Sequence, residues 1–266
     1  MEHLYHYTNL ETLKLIFLNN TFRLTSLNYM DDLEEGETED FQKLGRYIYI
    51  SSWTKKYEES LTLWNYAENN GRVDGIRIGM KKNIFKTETI NRNVMLHGHY
   101  TEIRDLDFNI GILEKMLTAN VSFVPPHATL NEVIYTKDDL LLKPFAHQKH
   151  PNGFALLTGK LGIYKRHEWH EQQEIRYMLR SLPLTVKEMN LDFLNTPEGE
   201  KHLLEKIKLR EDMGFVDLLL KDDVFEDMEI LCGPRMSEEK KEELNELILK
   251  YAPNAVVTTS RLRIRS

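Results

Sequence analysis

Leu4–Phe17, LYHYTNLETLKLIF, sets the fold class, because it carries a strand and a helix back to back. The first five residues alternate in a run rich in aromatic and branched side chains, the pattern of a strand. Asn9, with Glu11 and Thr12 just beyond it, reads as the cap of a helix over about Leu10 to Asn19. One residue is out of place: His6 stands at the centre of the strand, flanked by Tyr5 and Tyr7 and closed by Thr8.

The same punctuation continues outward. FRLTSL is a strand that ends in the acid-rich loop NYMDDLEEG, and RYIYISSW is a strand that leads to a helix in SLTLWNYAEN. GRVDGIRIGM gives a fourth strand, DFNIGILEKMLTAN a helix, and NEVIYT a strand beyond the proline pair Pro125–Pro126. Further along, a strand is expected from about Gln172 to Leu182, a polar helix over TPEGEKHLLEKIKLREDMG, and a strand in EDMEILCGP. An amphipathic helix capped by Ser237 and a last strand, NAVVTTSRLRIRS, complete the chain. No repeat or Pro/Gly/Ser-rich linker divides it, so one α+β domain over 1–266 is expected, a bent mixed or antiparallel sheet with peripheral helices.

The chain's 266 residues, 41% hydrophobic and 29% charged, are those of a folded protein with a sizeable core. No segment is long and apolar enough to cross a bilayer, and Glu2 and His3 stand where a signal peptide places basic residues, so no membrane partner and a cytoplasmic location are expected. The lone cysteine, Cys232, has no internal disulfide partner and reads as a small core residue. A net charge of −7 gives no global attraction to phosphate backbones, although Arg261, Arg263 and Arg265 alternate on one face of the last strand.

Metal motifs fail on spacing. In HEWHEQQE, His167 and His170 are three apart, one short of the metalloprotease helix, and on a strand they would face opposite ways. His97 and His99 would share a strand face but have no evident third ligand. No phosphate-cradling glycine loop is present.

One constellation survives. On a strand over WHEQQEIRYML, Ile175, Tyr177 and Leu179 fall on the core face and Gln172, Glu174 and Arg176 on the other. Read alone, Glu174 and Arg176 are a solvated pair worth under about 1 kcal/mol. Set beside LYHYT and RYIYISSW, however, this strand resembles the third signature of the H-Y-E branch of the ADP-ribosyltransferase superfamily.

The resemblance implies an ADP-ribosyltransferase-like fold with NAD as co-substrate. It casts His6 on the ribose and nicotinamide side of NAD, Tyr7 as a source of backbone hydrogen bonds to the carboxamide, and Thr8 as support for the adenosine-side ribose. It makes Tyr49 and Tyr66 the two rings enclosing nicotinamide, with Ser51 and Ser52 as polar support. Glu174 becomes the catalytic carboxylate of a QxE motif. Gln172 and Arg176 fall on the acceptor side, Arg176 serving either phosphate or Glu174, and Arg23 becomes a partner for the phosphates.

More of the chain, in LYHYT, LTSLNYMDDLEEG, LTLWNYA, WHEQQEIR, ILCGP and SRLRIR, is similar to a poorly characterised bacterial domain family related to the DarT-type transferases. The sequence departs from that family at Asp31, where Asn is usual, and at Gln172, where Glu is usual.

The chemistry fits these residue types. Cleavage of the nicotinamide–ribose bond passes through an oxocarbenium-like state that a carboxylate stabilises, and aromatic walls hold the pyridinium. The resemblance implies transfer of ADP-ribose to a macromolecule, nucleic acid or protein, by a toxin of a toxin–antitoxin or anti-phage system, with an antitoxin as possible partner. The alternatives are an NAD glycohydrolase and a catalytically inactive binding module of the same fold; a metal hydrolase ranks behind both.

Overall fold

The computed structural model describes residues 3–264 apart from 69–70, 97–98, 120, 152, 210 and 212, and only the backbone of 90–96, 99–105, 113, 117 and 191. The strands are β1 (His3–Asn9), β2 (Thr21–Ser26), β3 (Ile48–Thr54), β4 (Gly75–Lys81), β5 (Thr87–Leu96), β6 (His99–Asn109), β7 (Ser122–Phe123) and β8 (Thr129–Glu132). They continue as β9 (Ile134–Thr136), β10 (His147–His150), β11 (Gly153–Leu156), β12 (Tyr164–Arg166), β13 (Glu174–Leu182), β14 (Phe215–Leu219), β15 (Glu229–Cys232) and β16 (Val256–Thr259). The helices are α1 (Leu10–Asn19), α2 (Leu61–Ala67), α3 (Ile112–Thr118), α4 (Asp139–Leu142), α5 (Leu191–Leu194), α6 (Pro197–Leu209) and α7 (Glu238–Tyr251). The architecture is mixed α+β, built on one large mixed sheet.

That sheet runs β14-β2-β3-β1-β4-β15-β16, with β13 paired to β3 and, in turn, to β7 and β8. β13 lies along the length of β3, from Glu174↔Thr54 to Arg180↔Ile48. A strand has only two edges, so β2 and β1 must share the other edge of β3. β2 takes its start, at Thr25↔Ile50 and Ser26↔Tyr49, and β1 touches only its end, at Tyr5↔Thr54. Between these contacts the sheet splits. The gap faces the middle of β1, which is otherwise held firmly by β4 in unbroken register from His3↔Lys81 to Asn9↔Gly75.

Local signals explain the elements around the gap. The Asn9 side chain accepts from Thr12 N at 2.9 Å and so starts α1 where the cap was expected; α1 ends at Asn20, whose φ of 49° is left-handed. Ser60 and Ser237 cap α2 and α7 in the same way. α1 and α7 bury Leu13, Ile16, Phe17, Leu244 and Ile248 with Tyr49, Trp53, Ile175 and Tyr177 of β3 and β13. The alternate residues Ile48, Ile50 and Met178 close a second core with Leu27, Leu203 and Ile207. Helices thus cover the sheet, as expected.

Several boundaries differ from the sequence reading. β13 starts at Glu174 rather than at Gln172, because His167–Gln172 winds into a 3₁₀ turn and Gln173 reverses the chain at φ 44°. The final strand stops at Thr259, and residues 260–264 run without regular structure, so Arg261 and Arg263 do not form a strand stripe; Arg265 lies outside the described residues. The paired ribbon β5–β6 and the edge strand β14 had no clear sequence signal. The His97–His99 expectation falls outside the described side chains. His167 and His170 stack at 4.8 Å on the exposed turn, and Cys232 is a buried core residue.

Candidate functional site

His6 occupies the gap in the sheet. Its Nδ1 lies 2.7 Å from the Ser52 carbonyl, and since a carbonyl only accepts, Nδ1 carries the proton and donates. The imidazole therefore stands in for a missing rung between β1 and β3, which answers why a histidine sits inside this strand. Phe22 and Trp53 pack on the ring at 5.2 and 5.1 Å. Burial pushes the imidazole below its ordinary value, against the hydrogen bond to the Ser52 carbonyl, so it is neutral near pH 7 and Nε2 is an acceptor.

Two cavities meet at His6, Ser52 and Met30. The smaller, about 220 Å³, is lined by Tyr5, Tyr7, Trp53 and Leu63 together with Asp31, Tyr66, Lys165, Gln172, Glu174 and Arg176. The larger, about 410 Å³, has an apolar wall of Leu15, Ile16, Phe22 and Ile50 and a polar rim that includes Arg23, Ser51 and Asp217. The larger cavity by itself, and the two taken together, fall in the range of small-molecule sites, about 300–1,000 Å³.

The smaller cavity rests on an ionic network. Glu174 Oε1 accepts from Lys165 Nζ at 2.7 Å; Oε2 accepts from Ser52 Oγ at 3.1 Å and Arg176 Nε at 2.6 Å. Its backbone N–H donates to the Tyr135 hydroxyl at 2.8 Å. Arg176 is 1% exposed; its terminal nitrogens grip Glu35 and donate to the Gly162 carbonyl at 2.9 Å. Lys165 also donates to Gln172 Oε1 at 2.7 Å. Two carboxylates thus balance two cations. Burial would push the Glu174 carboxyl up, but Arg176 and Lys165 outweigh it and hold it at about 2. Burial likewise works against the Arg176 charge, and Glu174 and Glu35 more than offset it.

His6, Tyr7, Ser52, Tyr66, Gln172, Glu174 and Arg176 therefore converge on one cleft, from segments spread over the first two thirds of the chain. Tyr7 is fixed by its hydroxyl, which accepts from Ser60 N at 3.1 Å, and by edge-on packing on Trp64 at 4.8 Å. Tyr66, 39% exposed on α2, presents its ring to the cavity; burial and then the Asp31 charge raise its hydroxyl, which is hydrogen-bonded to Gln172.

The remaining expectations are corrected by position. Tyr49 does not face the cleft: it shares the core face of β3 with Ser51 and Trp53, is 1% exposed, and packs on Phe123. Ser51 lies on that face too, accepting from Trp53 Nε1 at 2.9 Å and lining only the larger cavity. Thr8 lines neither cavity; it is buried on β1 opposite Ile76 of β4. Arg23 reaches the rim of the larger cavity with its charge already held bidentately by Asp217 at 2.8 and 2.9 Å. Arg176 is not a free acceptor-side group, since every nitrogen of its guanidinium is engaged within the network.

Sequence reasoning missed Lys165, Glu35 and Tyr135. The first two sit in segments whose many charges read as solvated, and only burial distinguishes them. Among the described residues no group of three or more His, Cys, Asp or Glu side chains is arranged to hold a metal ion, and no helix is long and apolar enough to cross a membrane. No family model, curated protein or solved structure matches the chain.

Proposed function

We propose that the protein is an NAD-dependent ADP-ribosyltransferase acting on a macromolecule, nucleic acid or protein. The observation that carries this reading is the convergence of His6, Tyr66 and Glu174 on one cavity, which joins a second large enough for the other half of a dinucleotide. The residues present fit that ligand: an aromatic and aliphatic lining, an acceptor at His6 Nε2, an ionised carboxylate and the Ser52 hydroxyl at the junction. NAD supplies a ribose whose bond to a positively charged ring is ready to break.

In this reading Tyr66 and Tyr7 bound the pyridinium, with a ring-to-cation attraction of about 0.5–2 kcal/mol. Glu174 faces the ribose carbon on which positive charge develops. Its ion pairs with Arg176 and Lys165 keep it ionised and immobile, so no reorganisation is needed as the charge appears. His6, locked by Ser52, holds a ribose hydroxyl through Nε2 and sets its orientation. The toxin role in a toxin–antitoxin or anti-phage system, with an antitoxin as partner, follows from the family resemblance alone and forms part of this proposal.

The test is incubation with labelled NAD and separate pools of RNA, DNA and protein, comparing the native chain with Glu174→Gln. Label is expected in one pool, falling about 100- to 1,000-fold in the variant. Free ADP-ribose without labelled macromolecule would instead make the protein a glycohydrolase. Intact NAD and no label in any pool refutes both.

A further inference from the structure

Lys165 is the cleft residue whose chemistry is least accounted for. It comes from β12, a three-residue strand paired in parallel with β9 at Lys165↔Tyr135, outside the large sheet. Its side chain is only 5% exposed, yet the residue is part of the cavity lining, with its ammonium on Glu174 and Gln172 of the same lining. One proton goes to Glu174 and a second to Gln172, each at 2.7 Å. The third has no hydrogen-bond acceptor among the described residues: Glu35 Oε2 stands 3.8 Å away and the Trp169 ring centre 4.9 Å. A buried ammonium with an unspent donor beside a carboxylate oxygen is costly unless a ligand completes it.

The neighbours strengthen this. Because Gln172 Oε1 accepts from Lys165, its amide nitrogen is the atom left for Tyr66, so the ammonium also fixes which way the amide points. Lys165, Gln172 and Tyr66 form a chain from the carboxylate to the aromatic wall. Arg176 has a different task, since its hydrogen bonds to Glu35 tie the acid-rich loop that carries Met30 and Asp31 to β13.

We propose that Lys165 contacts substrate directly, and that Lys165 and Glu174 together recognise the two adjacent hydroxyls of a ribose, one donating to Glu174 Oε1 and its neighbour accepting from Lys165 Nζ. This deepens the reading above and rests on its placing a ribose at Glu174. A carboxylate alone asks for one donor; a carboxylate with a spare ammonium proton beside it asks for a donor and an acceptor on adjacent carbons. The ligand class is therefore a ribonucleoside with an intact vicinal diol, and a 2-deoxyribose offers half of the interaction.

The experiment measures equilibrium binding of nicotinamide riboside and of its 2-deoxyribose and 3-deoxyribose analogues, which delete either hydroxyl of the diol in turn, to the native chain, to Lys165→Met and to Lys165→Arg, with adenosine and 2′-deoxyadenosine as a second pair. The native chain is expected to prefer the diol by about tenfold or more, the yield of one hydrogen bond to a charged group. Lys165→Met loses most of that preference, and Lys165→Arg keeps it. Equal binding of diol and deoxy ligands to the native chain overturns the proposal without reference to any variant, so a Lys165→Met chain that fails to fold leaves it open to refutation. A diol preference that persists undiminished in a folded Lys165→Met chain overturns it as well. If only the adenosine pair binds, with the preference lost in Lys165→Met, the diol site stands and the NAD reading falls. If nicotinamide riboside binds and Lys165 makes no difference, the reverse holds, and if no ribose ligand binds, both fall.

Discussion

Replacing Arg176 with leucine removes the guanidinium that hydrogen-bonds both buried carboxylates. The guanidinium is 1% exposed and touches Glu174, Glu35 and the Gly162 carbonyl. Leucine fills part of the space but leaves two buried carboxylates facing a single ammonium. Breaking a buried ion pair by removing one partner costs about 3–5 kcal/mol. At about 2–4 °C per kcal/mol for a domain near this size, the melting temperature should fall by about 6 to 20 °C.

The loss should also depend on pH, with a definite sign. In the native chain Glu174 is held at about 2, below its ordinary 4.5, so its contribution is whole above about pH 4.5 and is lost as pH falls toward 2. Without the guanidinium the balance tips toward burial, which favours the protonated acid, so the variant gains relative to the native chain on acidification. Thermal unfolding followed by circular dichroism at about pH 8 and about pH 4.5 should show the wider gap at the higher pH. A drop under about 3 °C, or a gap equal at both, would refute the assignment of Arg176 as the centre of the network.

The other expectations are simpler. Tyr49→Phe removes an acceptor that takes the Met213 N–H at 3.4 Å, so it should cost under about 1.5 kcal/mol of stability and leave NAD cleavage unchanged. Tyr66→Ala, by contrast, should raise the KM for NAD about 2- to 30-fold, read from initial rates, because it strips the wall of the cleft. His6 is pushed below its ordinary 6.5, so it remains neutral as pH falls through that value; NAD cleavage should stay level from about pH 8 to about pH 6.5, and a decline that begins above 6.5 would contradict a buried neutral imidazole.

What could be read from the sequence was what local chemistry specifies. The strand at LYHYT, the cap at Asn9 and the helix behind it depend on neighbours a few residues away, as does the alternation that separates Ile175, Tyr177 and Leu179 from Glu174 and Arg176. Tyr49 was misplaced because IYISSW is aromatic or branched on both faces, so a period of two marks a strand without saying which side meets the core. Gln172 was placed in a strand because its neighbours suit one, whereas the left-handed turn at Gln173 is a property of the backbone. Glu35 and Lys165 left no mark. A charge in a run of charges reads as solvated, and their burial depends on partners that only the tertiary fold supplies. The β5–β6 ribbon was obscure for a related reason, its polar residues giving no one-sided alternation.

The pairing of Glu35 with Arg176 spans 141 positions, and this orders events during synthesis. A chain emerging from the ribosome displays Glu35 long before any guanidinium arrives to take it, and until then that carboxylate belongs in water. The cleft, its floor and its loop wall are therefore assembled together and late, after β13 has been made. Prematurely terminated copies would carry the imidazole and the phenol rings with nothing beneath them, so an assembled cleft would be confined to polypeptides that have passed residue 176.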